Sequence, residues 1–295
     1  MNIQHCGYVA IIGRPNVGKS TLLNALVGKK ISITSRKPQT TRMQIMGIKT
    51  QGEQQAVYID TPGIHTAEKR AMNRYMNRLA NAVIADTDVI VFMIAAPRWH
   101  AEDEMILEKL ASVKTPVILL INKVDLLPEK AQLLPWIEGL SAKYPFAHIV
   151  PLCARKMADI ERLQSLIFTM LPPGPFLFPI EQMTDKNERF QVAELIREKL
   201  LKTTGQELPY STTVVIESWK KEAKRTVISA IIWVEREGQK AIVIGKNGER
   251  LKLIGTQARK EIEHLLDAKV FLHLWVKVKS DWTDNELALQ TLGYE

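Results

Sequence analysis

The spacing of apolar residues changes several times along the chain, and each change marks an element. Residues 8–12, 89–95, 117–121 and 149–152 are short, β-branched apolar runs with no alternation. Such runs predict strands covered on both faces, as in a parallel sheet. Residues 21–26, 101–112 and 159–171 have helical spacing and supply the covering layer. Residues 44–49 and 55–60 read as two strands turned at Gln51-Gly52-Glu53. The first half is therefore expected to be α/β, a mostly parallel sheet flanked by helices.

A different regime begins at Leu171-Pro-Pro-Gly-Pro-Phe-Leu-Phe-Pro179. Four prolines in the eight positions from Pro172 to Pro179 exclude helix and central strand, and such a spacer stays extended. The division expected is residues 1–173, a linker over 174–186 and a second domain over 187–295. In that domain 188–202 is helix-spaced, with Phe190, Ala193, Leu195, Ile196 and Leu200 apolar. Residues 211–217 and 226–235 read as strands, with a basic hairpin loop, Lys220-Lys221-Glu222-Ala223-Lys224-Arg225, between them. Residues 249–266 are helix-patterned and 270–278 alternate as a strand. Residues 241–244 have a strand's composition and a length that fits either element. If they are helical, the order is α-β-β-α-α-β, an α+β domain. The tail, 281–295, is acidic and partly helix-spaced and suggests no role.

A chain of 295 residues can bury two cores. Its 46% hydrophobic and 24% charged residues describe a globular protein, and no apolar run approaches the roughly 18 residues that span a bilayer. No export signal is expected, because a basic start followed by an apolar core is missing. Two cysteines, Cys6 and Cys153, are too few for a disulfide framework or a metal knuckle and fit a reducing cytoplasm. The formal charge of +8 suggests a polyanionic partner. Residues 1–173 carry 21 Lys and Arg against 14 Asp and Glu, and 187–295 carry 18 against 16, so the excess does not single out the second half. Local density does: 236–260 holds seven basic residues against two acidic ones.

Candidate chemistry starts at Gly13-Arg14-Pro15-Asn16-Val17-Gly18-Lys19-Ser20, placed between the strand at 8–12 and the helix at 21–26. Strand, glycine loop and helix in that order form a phosphate cradle. Gly13 and Gly18 reach backbone angles closed to other residues, so successive N–H groups turn inward at the positive end of a helix. Lys19 is then placed for the outer phosphates and Ser20 for Mg²⁺. Asp60-Thr61-Pro62-Gly63 ends the second strand of the pair, where an Asp orients Mg²⁺ through water and Gly63 offers its N–H to the terminal phosphate. In the basic, aperiodic stretch 29–42, Gln39-Thr40-Thr41-Arg42 offers a hydroxyl that completes the Mg²⁺ shell only while a terminal phosphate is present.

The strand at 117–121 runs into Asn122-Lys123-Val124-Asp125. A carboxylate there accepts from both N1–H and the 2-amino group of guanine, and adenine has neither donor. A site built this way rejects ATP by about 10⁴-fold. Cys153-Ala154-Arg155 follows the last strand and is placed to give a backbone N–H to the base carbonyl. In the second domain, Gly245-Lys246-Asn247-Gly248 lets a nucleic-acid backbone approach a helix N-terminus, with Lys246, Arg250 and Lys252 attracting phosphate.

The ordered set GRPNVGKS, QTTR, DTPG, NKVD and CAR resembles the translation-factor-type GTPases, in their bacterial Era-like branch. The second domain is similar to a type II KH domain, and the likeness covers essentially the whole chain. It implies a GTP and GDP site formed by Gly13, Arg14, Pro15, Asn16, Val17, Gly18, Lys19, Ser20, Thr21, Asp60, Gly63, Asn122, Lys123, Asp125, Cys153, Ala154 and Arg155. Mg²⁺ would sit at Ser20, Thr41 and Asp60, and Lys19, Thr41, Gly63 and Asn16 would serve catalysis. The partner implied is the 3′ end of 16S ribosomal RNA in the maturing small ribosomal subunit, not DNA. The resemblance also implies a cytoplasmic monomer, partly peripheral on the inner membrane.

Two positions depart from related enzymes. Cys153 stands where the family usually has Ser, and a thiol is the poorer hydrogen-bonding group. Ile64 follows Gly63 where Ras-like enzymes carry the glutamine that orients water, so slow intrinsic hydrolysis is expected, with K⁺ held partly by Asn16 as a substitute source of charge. Two other readings stay open: an RNA-binding scaffold whose nucleotide is structural, and a GTPase coupled to RNA modification.

Overall fold

Among the described residues, six strands carry the first half: β1 (His5–Ile12), β2 (Ile45–Gln51), β3 (Gln54–Asp60), β4 (Val89–Ala95), β5 (Val117–Asn122) and β6 (His148–Pro151). They form one sheet in the order β2-β3-β1-β4-β5-β6, antiparallel between β2 and β3 and parallel elsewhere. In this computed structural model, which describes residues 3–35, 37, 40–63, 71–204, 212–292 and 294, every residue of β4 and β5 is buried. That is why their sequence shows no alternation. The chain leaves β1 for β3 on one side and reaches β4 on the other, so the carboxyl end of β1 is the switch point where such sheets bind ligands.

Among the described residues, five helices cover the sheet: α1 (Lys19–Val27), α2 (Ala71–Ala85), α3 (Ala101–Leu110), α4 (Leu133–Ser141) and α5 (Met157–Met170). Ala80, Val83 and Ile84 of α2, Ile106, Leu107 and Leu110 of α3 and Leu140 of α4 join Ile90, Phe92, Ile94, Leu119 and Ile121 in one core. α1 and α5 pack on each other and on β3. Each fully buried Leu, Ile or Val contributes roughly 1.5–3 kcal/mol, so packing rather than helix propensity holds these short helices. α2 and α4 have no counterpart among the expected elements. α2 does carry helical spacing, with Met72, Tyr75, Met76 and Val83 buried and Arg74 and Arg78 exposed. α4 packs Leu133, Trp136, Ile137 and Leu140 on the core at helical spacing, with the apolar Leu134 and Pro135 exposed between them.

The second half contains α6 (Glu188–Thr203), β7 (Thr213–Glu222), β8 (Arg225–Val234), α7 (Glu237–Ile244), α8 (Glu249–Leu266), β9 (Val270–Val278) and a short α9 (Glu286–Thr291). Its sheet runs β7-β8-β9, with β7/β8 antiparallel and β8/β9 parallel. The order is α-β-β-α-α-β, and the ambiguous residues 241–244 are the end of α7. The hairpin is tighter than expected: Lys220, Lys221, Glu222 and Arg225 are strand residues, and only Ala223 and Lys224 form the turn. Ser211 and part of the tail lie outside the described residues. The described tail contains a 3-10 turn at Trp282–Asp284, whose Trp282 is fully buried, and α9, capped by the Asn285 side chain on Ala288 N–H at 3.0 Å.

Contacts divide the chain into one unit of Met1–Ser32, Thr41–Glu68 and Asn73–Asp185 and another of Ile33–Thr40, Lys69–Met72 and Lys186–Glu295. Residues 174–185, within the stretch 174–186 expected as an extended linker, are held against the strands of the first unit. Gly174 N–H donates to the Gln4 carbonyl, and Ile48 N–H donates to the Met183 carbonyl, both at 2.9 Å. Gln55, fully buried, accepts the Leu177 and Phe178 N–H groups and returns its amide to the Phe178 carbonyl at 2.8 Å. Proline fixed the extended shape, and one buried amide anchors it.

Candidate nucleotide site and nucleic-acid interface

The loop from Gly13 to Gly18 leaves β1 and delivers its backbone to the first turn of α1. Gly13 has φ 152° and Gly18 φ 115°; a Cβ at Gly13 would lie 2.3 Å from the Met93 carbonyl oxygen, so no other residue fits. Asn16, exposed, holds φ 64°. Lys19 reaches back across the loop, donating from Nζ to the carbonyls of Gly13 (2.9 Å) and Arg14 (3.1 Å). Burial lowers the Lys19 pKa to about 8, against the pull of Asp60 and with a further push from Arg14. An ammonium so poorly solvated is poised for an anion. Arg14 pairs with buried Asp103 at 3.3 Å, Val17 is buried, and Pro15 and Thr21 are half-buried. Gly63 abuts Pro15, 2.9 Å from where a Cβ would begin, which puts its backbone at the loop. Ile64 and Gln39 lie outside the described residues.

Oxygen atoms converge at the start of α1. Ser20 Oγ donates to Asp60 Oδ2 at 2.7 Å and lies 2.8 Å from Thr41 Oγ1, which is 3.3 Å from the same carboxylate oxygen. Ser32 Oγ adds a fourth group at 3.2 Å; the sequence carried no periodic signal for it. Asp60 is fully buried, its pKa raised by desolvation against the opposing effects of Lys19 and these hydroxyls. Its Oδ1 is buried with no hydrogen-bond partner among the described residues. A hard-oxygen set with one open carboxylate oxygen fits Mg²⁺.

The base-reading motifs form a second cluster. Asn122, 4% exposed, donates Nδ2 to the Val17 carbonyl at 2.7 Å and accepts the Ala154 N–H at 3.0 Å. Lys123, at φ 64°, donates to the Asn16 carbonyl at 2.8 Å, its pKa lowered by partial burial and by Arg14 and Arg155. Asp125 and Arg155 are exposed. Cys153 N–H donates to Asp159 Oδ2 at 3.0 Å, so a carboxylate fastens the loop by its backbone where the thiol cannot by its side chain. In this geometry the Ala154 N–H, expected to meet the base carbonyl, donates to Asn122 Oδ1 instead.

In the second unit, Gly245, Asn247 and Gly248 hold φ of 73°, 52° and 77° between α7 and α8. A Cβ at Gly248 would meet open space, so its backbone is approachable. Lys246 and Lys252 are exposed. Arg250 Nη1 donates to the Ile242 carbonyl at 2.7 Å and so ties α7 to α8.

The sequence model of a 50S ribosome-binding GTPase family matches residues 8–123, and that of the KH domain matches 207–283. GTPase Era of Coxiella burnetii is 53% identical over 295 residues, covering all of both chains. GTPase Era of Haemophilus influenzae is 54% identical over 291 residues, 98% of this chain and 96% of its own. Two solved structures each superpose with a TM-score of 0.95 at 41% identity over 99% of both chains: Era in complex with MgGDPNP and nucleotides 1506–1542 of 16S ribosomal RNA, and a variant of Aquifex aeolicus Era bound to GDP·AlF₄⁻. The likeness runs along the full length of the chain that carries the phosphate loop, the oxygen cluster, the guanine motifs and the glycine turn, and the chain belongs to the Era family of GTPases.

Proposed function

We propose that this GTPase binds the 3′ end of 16S ribosomal RNA through residues 187–295, under control of the nucleotide held by residues 1–173, and assists maturation of the small ribosomal subunit. One observation carries the control. The Asp60 carboxylate accepts from Ser32 and Thr41, and the segment between them, Ile33–Thr40, is counted with the second compact unit. There Thr34 N–H donates to Glu198 Oε1 at 3.1 Å and Arg197 donates to the Thr40 carbonyl. Ser32 and Thr41, which flank this stretch in sequence, both meet the carboxylate expected to serve Mg²⁺, so the stretch responds to nucleotide state.

Each residue then has a task. Backbone N–H groups of residues 13–20 and Lys19 hold the phosphates, Asp125 selects guanine with Asn122 as its support, and Gly63 reads the terminal phosphate. Ser20 and Thr41 would hold Mg²⁺ with Asp60 in support, and the ion would supply positive charge at the phosphates. Asn16 would share K⁺ with the phosphates, and turnover is slow without a water-orienting side chain at position 64. Residues 245–248 clamp the RNA backbone, with Lys246 and Lys252 facing phosphate. The chain acts as a cytoplasmic monomer that also meets the inner membrane peripherally; no helix among the described residues is long and apolar enough to cross one.

The test is RNA affinity in each nucleotide state. A fluorescent oligonucleotide of the 16S 3′ end is titrated with the protein loaded with GDP, a non-hydrolysable GTP analogue or ATP. Different affinities with the two guanine nucleotides, and no effect of ATP, are expected. Equal affinity in every state rejects the switch and favours the scaffold reading, as would Ser20→Ala and Asp60→Asn variants that still support subunit assembly.

A further inference from the structure

β9 is an edge strand with two unlike faces. Leu272, Leu274, Val276 and Val278 pack toward the core beneath α8, whereas Phe271, His273, Trp275 and Lys277 stand on the opposite face, all exposed. Phe271 is 46% and Trp275 57% exposed, far more than packing within the unit explains. The register continues this face onto the neighbours: Val227 lies beside Phe271, Ser229 beside His273, and Lys220 of β7 beside Val227. A cation and a second ring already border Phe271. The Arg225 guanidinium lies 5.2 Å over the Phe271 ring, and His273 meets that ring edge-on at 4.6 Å. Residues 217–225 and 269–279 together carry seven Lys or Arg against two acidic residues, Glu217 and Glu222.

We propose that this sheet face is a second RNA-binding surface, separate from the glycine turn, where unpaired bases stack on Phe271 and Trp275 while Lys220, Arg225 and Lys277 meet the backbone. The proposal rests on the reading of this unit as an RNA binder. Rings at alternate strand positions are about 6.5 Å apart and their neighbours but one about 13 Å, so the two aromatics leave room for separate, splayed bases. Open sheets in other RNA-binding modules use aromatics in this way, and a ring face accepts any base. Charge decides the kind of partner. A protein-binding apolar face is depleted of charge at its centre, whereas here Arg225 lies over Phe271 and Lys277 follows Trp275 on the same face, each in an exposed pair, with Glu222 at 2.9 Å and Glu217 at 3.5 Å, that a phosphate can replace. The glycine turn lies at the start of α8, whose Ile254, Ala258 and Ile262 pack on the opposite, core face of the sheet, so the two surfaces are distinct.

The experiment uses the full chain at fixed salt and fluorescein-labelled single-stranded RNAs of about six nucleotides, enough for a four-nucleotide clamp, and about twenty, enough for both surfaces. Phe271→Ala with Trp275→Ala is expected to weaken binding of the longer RNA about tenfold or more and to leave the shorter one unchanged. Trp275→Phe, which keeps a ring, should retain most of the affinity. Lys246→Asp with Asn247→Asp should remove binding of the short RNA while the long RNA stays sensitive to the aromatic pair. Unchanged long-RNA affinity in the aromatic variant, an equal loss at both lengths, or a loss of anionic-vesicle binding in place of RNA binding would overturn the surface alone. Failure of the unaltered chain to bind either RNA would overturn the RNA-binding reading beneath it as well. Unaltered circular dichroism and melting of the exposed-site variants separates loss of binding from loss of fold.

Discussion

Asn122 donates to the Val17 carbonyl at 2.7 Å while accepting the Ala154 N–H at 3.0 Å, so one side chain ties the base-reading strand end to two loops. Removing it strands a buried acceptor and a buried donor. Each such group costs about 1–3 kcal/mol when left unpaired. Asn122→Ala should therefore destabilise the first unit by about 2–4 kcal/mol, and a shift of roughly 2–4 °C accompanies each kcal/mol in a domain of this size. A thermal scan without nucleotide measures it, and guanine affinity falls in the same variant because Val17 and Ala154 lose their alignment. Melting identical to the parent would show that the tie holds nothing.

The depressed Lys19 pKa, about 8, predicts a pH dependence of nucleotide binding. Phosphate beside the ammonium raises its pKa, so the complex holds a proton that the free protein has begun to lose above pH 8. Affinity for GDP should fall as pH rises through about 8, approaching tenfold per unit for one linked proton. Titration calorimetry at pH 8.5 in buffers of different ionisation enthalpy should show proton uptake on binding. For folding the sign is opposite: the lysine is held less basic in the fold than in the unfolded chain. Its contribution to stability therefore increases as pH rises from about 8 toward the ordinary lysine value of 10.5. Proton release on GDP binding would contradict the geometry.

Phosphate loop, strand-end carboxylate and guanine motif were legible because each couples a short residue pattern to a strand end, and chain order alone places them at one edge of a sheet. Ser32 was not legible: a serine in an aperiodic basic stretch becomes informative only when its hydroxyl lies 3.2 Å from Asp60. Gln55 was hidden for a related reason, since nothing local shows that its amide anchors Leu177 and Phe178, 122 and 123 residues later. α4 was hidden because apolar Leu134 and Pro135, both exposed, fill the gaps in the helical spacing of Leu133, Trp136, Ile137 and Leu140. β9, by contrast, showed its alternation in sequence, but which of its faces stays open is a fact of packing.

The two glycines of the turn at residues 245–248 should respond differently to a methyl group. Both hold positive φ, a strain of about 1–2 kcal/mol for an L side chain. At Gly245 a Cβ would also lie 2.7 Å from Arg250 Cβ, whereas at Gly248 it would point into open space. Gly245→Ala should thus lower stability more than Gly248→Ala, while Gly248→Ala should weaken RNA binding out of proportion to its effect on folding. Chemical denaturation and RNA titration of the two variants side by side check both halves. The reverse order in stability would mean that the turn moves freely.

Trp282 gives the acidic tail a structural task. Its ring is fully buried and stacks on Tyr294 at 6.1 Å, and Tyr294 Oη lies 3.0 Å from Thr213 Oγ1 at the start of β7. Trp282→Ala opens a cavity and should destabilise the second unit by about 3–5 kcal/mol. Trp282 Nε1 has no hydrogen-bond partner among the described residues. Trp282→Phe therefore loses ring volume but no hydrogen bond, and should cost clearly less than the alanine variant, less than about 3 kcal/mol. Guanidinium unfolding of the full chain, followed by far-UV circular dichroism, resolves the difference. Equal losses for Phe and Ala would show that the indole N–H, not the packed ring, holds the tail in place.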